Sequence, residues 1–87
     1  MDATDVTIDN TGEVICVQGI ISRVYYQEPA FYIIFQEDYE SFYMVSYDQR
    51  FDRLEPGDCV FATGEIKQLQ LDPIMVLGPK DKLEMCP

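Results

Sequence analysis

The chain of 87 residues sets six Lys and Arg against sixteen Asp and Glu, a formal charge of −10, and carries 47% hydrophobic residues with six Tyr and five Phe. So short a chain allows one domain with a thin core, and so apolar and aromatic a composition excludes a disordered one. The charge repels a polyanion within a Debye length, which weighs against non-specific nucleic-acid binding.

Residues 1–12 read as an acidic tail with Asp2, Asp5 and Asp9 and no base, with Val6 and Ile8 as an edge contact. Asn10-Thr11-Gly12 is a turn cluster that opens the first strand. Glu13 to Gln27 alternates Ile15, Val17, Gly19 and Ile21 with Cys16, Gln18, Ile20 and Ser22, the period of a half-buried strand. The stretch is too long for one straight strand, and glycine inside a strand marks a bend, so Gly19 is expected to turn it between two sheets, with Val24 and Tyr26 inside beyond the bend. Glu28-Pro29 then breaks it.

The runs AFYIIFQ and SFYMVSY flank Glu37 to Glu40 and read as a hairpin. Pairing Phe35 with Phe42 and Ile33 with Met44 sets every Phe on one face. Ile34 then opposes Tyr43 and Tyr32 opposes Val45, so that Tyr32, Tyr43 and Tyr47 share the other face with their hydroxyls wet. Asp48 to Leu54 suits one helical turn anchored by Phe51 and Leu54. Pro56-Gly57 suits the centre of a type II turn. The strand after it carries Val60, Ala62, Gly64 and Ile66 inside, with Gly64 as a second bend, and Cys59, Phe61, Thr63, Glu65 and Lys67 outside. Leu69 to Asp72 turn the chain into a fifth strand, PIMVLG, whose Pro73 belongs at its start or edge. Residues 79–87 read as a polar tail.

Cys16, Cys59 and Cys86 are odd in number, far apart and without metal-ligand spacing. They read as reduced thiols with no disulfide framework and no metal site. The acidic N-terminus lacks the basic and apolar regions of a secretory signal, and no apolar run is long enough to span a bilayer. The expectation is a soluble cytoplasmic protein without cofactor. Histidine is absent, which removes the commonest general base near neutral pH, and pairs such as Glu37 with Asp38 or Asp48 with Asp52 read as solvated loops. No enzymatic activity is expected.

Five strands with one helical insert after the third predict an all-β Greek-key barrel over residues 13–78. In VQGIISRVYY, FYIIFQED and LEPGDCVFATGEI, with its Gly-Asp turn and later strand glycine, the chain resembles the OB-fold superfamily, in particular its compact single-strand-binding and anticodon-binding members. The resemblance covers about residues 12 to 78 and is specific to fold more than to function. It implies a ligand face on strands two and three. Carried onto this chain, that face presents Tyr32, Ile34, Tyr43, Val45 and Tyr47, with Arg23 and Tyr25 from strand one and Lys67 from strand four near its rims, for single-stranded nucleic acid to stack on tyrosine and pair with the cations. The opposing reading is that these tyrosines are ordinary cross-strand pairs on a wet face. A fainter likeness of Tyr47 to Pro87 to periplasmic haem chaperones carries the barrel alone, since their haem-attaching histidine is missing.

Two functions follow from the sequence. The first is a weak single-stranded nucleic-acid binder using Arg23, Tyr25, Tyr32, Tyr43, Tyr47 and Lys67. The alternative is an acidic adaptor that docks on a protein partner through Ile20, Ile34, Val45 and Phe61, and self-association through the same surface is a third reading. The scarce bases decide between them: a nucleic-acid site gathers them on one face, and an adaptor leaves them scattered.

Overall fold

A computed structural model of the chain describes residues 1–37, 41–47, 53–78 and 81–87. After two 3₁₀ turns, Ala3–Asp5 and Ile8–Asn10, the described residues form β1 (Val14–Ile20), β2 (Arg23–Gln27), β3 (Ala30–Ile34), β4 (Tyr43–Ser46), β5 (Cys59–Glu65), β6 (Lys67–Leu69), β7 (Asp72–Leu77) and β8 (Leu83–Met85). They pair as a three-stranded sheet, β1-β5-β8, and a five-stranded sheet, β2-β3-β4-β7-β6. All pairs are antiparallel except β4 with β7, which run parallel. The all-β expectation holds, but the single five-stranded barrel becomes eight strands in two sheets. Each long strand is divided at a corner, and the C-terminal segment adds a strand of its own. The helical turn expected over Asp48 to Leu54 falls mostly outside the described residues.

The first corner lies at Ile21-Ser22, where successive amides serve different sheets. Ile21 N–H donates to Asp58 O at 2.8 Å beside β5, and Ser22 N–H donates to Ile34 O at 2.7 Å on β3. At the second corner Ile66 N–H donates to Glu13 O at 2.9 Å and Ile66 O accepts from Gly12 N–H at 2.8 Å. Both corner isoleucines are buried in the core that the two sheets enclose. Apolar burial of this kind is worth roughly 1.5–3 kcal/mol per side chain.

Neither corner falls on glycine, which corrects the reading of Gly19 and Gly64 as bends. Both have ordinary negative-φ backbone, and their role is close approach. A Cβ at Gly19 would stand 2.7 Å from Ala3 Cβ and 2.8 Å from Phe35 Cδ1, and one at Gly64 would stand 3.1 Å from Met75 Cγ. Glycine is required at the first position because a neighbouring segment occupies the space of a side chain. That neighbour, Ala3, belongs to the N-terminal segment read as a tail: Ala3 and Val6 are buried, and Gln18 N–H donates to Met1 O at 2.9 Å.

The β3–β4 register matches the sequence reading residue for residue: Tyr32 opposes Val45, Ile33 opposes Met44 and Ile34 opposes Tyr43. Phe35 and Phe42, just beyond the ladder, stack with centroids 6.0 Å apart. The inward sets Val17 and Ile21, and Val60, Ala62 and Ile66, are also buried as alternation predicts. Gly57, with φ of +95°, and a hydrogen bond from Asp58 N–H to Glu55 O at 3.1 Å make the expected turn before β5. Pro73 sits near the start of β7, as it must in a strand flanked on both sides. Val24 packs against the core, whereas Tyr26, on the same face and with its ring centroid 4.8 Å from that of Phe31, is 51% exposed at the end of the strand.

The cysteine reading is overturned. Cys59 and Cys86 form a disulfide, with Cα atoms 5.3 Å apart, and only Cys16 is free. Spacing gave no hint of it, because the pair is made by β8 docking on β5: Val60 opposes Met85, and Cys86 N–H donates to Cys59 O at 2.9 Å. The cytoplasmic expectation loses its support from reduced thiols. No described helix is long and apolar enough to cross a membrane.

Candidate functional site

The outward side of the five-stranded sheet is assembled by register. Opposed residues share a face, so Arg23, Ile34, Tyr43, Ile74 and Lys67 make one row that crosses β2, β3, β4, β7 and β6. The next row holds Tyr25, Tyr32, Val45 and Val76. At about 4.8 Å per strand the first row runs about 19 Å from end to end. A cation therefore stands at each margin of an apolar and aromatic surface.

The tyrosines are engaged with one another. Tyr25 and Tyr32 stack with centroids 5.1 Å apart and planes 9° apart, while Tyr32 and Tyr43 lie 6.1 Å apart at 44°. The Arg23 guanidinium carbon sits 4.8 Å from the Tyr25 centroid, and Arg23 Nε lies 3.0 Å from Glu37 Oε1. Tyr25 is thus contacted by Arg23 and by Tyr32, and the charge of Arg23 is shared with a carboxylate. Lys67 is exposed and makes no ion pair among the described residues. Burial raises the Tyr43 hydroxyl above the usual phenol range, and Asp72 and then the neighbouring tyrosines Tyr32 and Tyr25 add to the effect.

Of the six residues expected to hold nucleic acid, Arg23, Tyr25, Tyr32, Tyr43 and Lys67 come together on this face. Tyr47 lies just past β4 and is 61% exposed. The four residues expected to hold a protein partner are divided between sheets. Ile34 and Val45 belong to the tyrosine face, where Val45 is only 5% exposed, whereas Ile20 and Phe61 lie on β1 and β5. The four therefore do not lie on one sheet, because β1 and β2 turn into different sheets at Ile21-Ser22. Sequence reasoning missed Ile74 and Val76, since β7 reaches this face by a parallel, non-local pairing that no local pattern encodes. Glu37, a solvated loop acid by the sequence, is instead the partner of Arg23. Among the described residues no group of three His, Cys, Asp or Glu is arranged to hold a metal ion.

No family model matches the sequence, and no curated protein matches it. Among solved structures the chain is similar to the p204 HINb domain, with a TM-score of 0.71 and 13% identity over 87% of this chain. The chain spans 41% of that chain's length. The likeness is one of fold. It supports an OB-like β architecture for this chain, in line with its two cornered strands and its parallel β4–β7 pair.

Proposed function

We propose that the chain is a small OB-type binding module, not an enzyme, that takes single-stranded nucleic acid weakly on the outward face of the five-stranded sheet. The observation that carries this reading is the gathering of Arg23, Tyr25, Tyr32, Tyr43 and Lys67 on one face of a chain with six basic residues in all. The OB-like fold supports it. Because Tyr25 and Tyr32 stack on each other, bases meet the upper edges of these two rings together with Tyr43 and the exposed Tyr47, and the phosphates meet Arg23 and Lys67. Base–aromatic stacks are worth about 1–3 kcal/mol where whole ring faces are open, so a partly engaged ladder gives less per ring.

Fluorescence anisotropy of labelled single-stranded DNA and RNA titrated with the protein, at low and then moderate salt, tests the reading. Two phosphate contacts on a single strand make log K fall against log salt with a slope no steeper than about −1.4, and Lys67→Gln makes it shallower by about 0.7. Tyr32→Ala and Tyr43→Ala weaken binding while the fold is retained. Absence of binding at low salt, where attraction is strongest, would end the nucleic-acid reading. It would leave a protein partner, which the mutual stacking of the tyrosines and the net charge of −10 also suit.

A further inference from the structure

We infer that the Cys59–Cys86 disulfide is a redox latch that decides whether β8 stays on β5, and that the closed form belongs to oxidising surroundings. The inference is independent of the nucleic-acid reading. It rests on three observations. First, β8 is only Leu83–Met85, paired with Val60, Ala62 and Phe61 of β5. A ladder that short is marginal by itself. Second, Leu83 is half-buried against the core, while Glu84 and Met85 are exposed, so little apolar burial holds the strand. Third, the cross-link joins residues 27 apart in sequence, so it ties down the C-terminal strand and not a local turn.

Removing β8 leaves β5, otherwise flanked by β1 and β8, with an open edge beside the buried Val60 and Ala62. The rest of the fold does not depend on that edge: β1 keeps its seven pairs with β5, and the five-stranded sheet makes no ladder with β8. Reduction is therefore a local opening. Neither cysteine is fully buried, so a dithiol reductant can approach the bond. Its thiolate attacks one Sγ and the Sγ–Sγ bond breaks. The resulting mixed disulfide is resolved by the reductant's second thiol, so that Cys59 and Cys86 leave as thiols with two electrons and two protons, and the dithiol leaves as its own disulfide. Where dithiols are abundant, as in a mesophile's cytosol, the latch opens, and where they are scarce it stays closed.

The test is alkylation with mass spectrometry on the denatured, unreduced chain, followed by hydrogen exchange on the native chain with and without dithiothreitol. We expect one alkylated cysteine, Cys16, in protein prepared without reductant, and three labelled thiols would overturn the inference. On reduction the amides of the β5–β8 ladder exchange on the order of a hundred-fold faster, about the closure entropy of the roughly nine-residue segment from the end of β7 to Cys86 expressed as a population, while those of β2, β3 and β4 change by a few-fold at most. Unchanged exchange in β8 would overturn the latch. Equal acceleration throughout the chain would also overturn it, because the bond would then staple the whole fold. Cys86→Ser reproduces the reduced pattern without reductant, and the chemically reduced native chain decides the matter should that variant not fold.

Discussion

Individual residues make the sharpest distinctions in this protein, and Gly19 is the clearest of them. Its missing Cβ is required by Ala3 and the Phe35 ring, neither of which can withdraw without moving backbone or core. Gly19→Ala is expected to destabilise by about 1–3 kcal/mol, a fall of several degrees in Tm for a domain of this size, measured by thermal or urea unfolding. Gly64→Ala meets the flexible Met75 side chain at 3.1 Å and is expected to cost less. Gln70, with φ of 57°, occupies backbone that glycine accepts without strain, so Gln70→Gly should raise stability by about 1 kcal/mol in the same assay. At Tyr43 the hydroxyl is raised above 10.0 in the folded state, so the unfolded chain loses its proton first as pH rises. Its contribution to stability is fully present below pH 10.0 and is lost as pH climbs through the folded value. Tyr43→Phe should flatten stability against pH in that alkaline range, and an unchanged slope would mean that another group carries it.

Among the elements, β3 is where sequence and structure agree most closely. Burial there follows parity: Ile33 is 0% exposed opposite Met44, which in turn opposes Met75, whereas its neighbour Ile34 lies on the tyrosine face. Ile33→Ala is expected to cost about 2–5 kcal/mol and Ile34→Ala clearly less, and equal losses in urea unfolding would mean that the strand is not held in this register. The Arg23–Glu37 pair across the β2–β3 margin is exposed on both sides, at 58% and 54%, so it contributes within the roughly 0–1 kcal/mol of surface pairs. Its larger effect is on ligand, because Glu37 competes with any phosphate for Arg23. Glu37→Gln should therefore tighten single-strand binding at low salt while leaving unfolding nearly unchanged.

For the whole molecule, net charge is the dominant collective property. A charge of −10 on a body with a radius of gyration of 11.6 Å repels itself, and salt screens that repulsion. Tm is expected to rise as ionic strength increases from low to moderate, the opposite direction from nucleic-acid affinity. Scanning calorimetry across a salt series checks the first, and the anisotropy titrations check the second. A Tm that fell with salt would mean that attractive pairs outweigh the net repulsion.

How much of this was legible beforehand depends on the range of the interaction. Alternation in Val17 to Ile21, in Ile33 and Met44, and in Val60 to Ile66 determined the strands, their inner faces and the β3–β4 register, since a period of two with one buried face leaves a single consistent pairing. The tyrosine face was legible for the same reason, because a hairpin register carries both faces at once. What needed the tertiary structure were the contacts between residues far apart in the chain. The corners at Ile21-Ser22 and Ile66 depend on which sheet each amide finds, and the parallel arrival of β7 places Ile74 between Tyr43 and Lys67. The Cys59–Cys86 bond depends on β8 docking beside β5. None of these leaves a periodic trace, because the partners that decide them are set by the closing of the two sheets around one core.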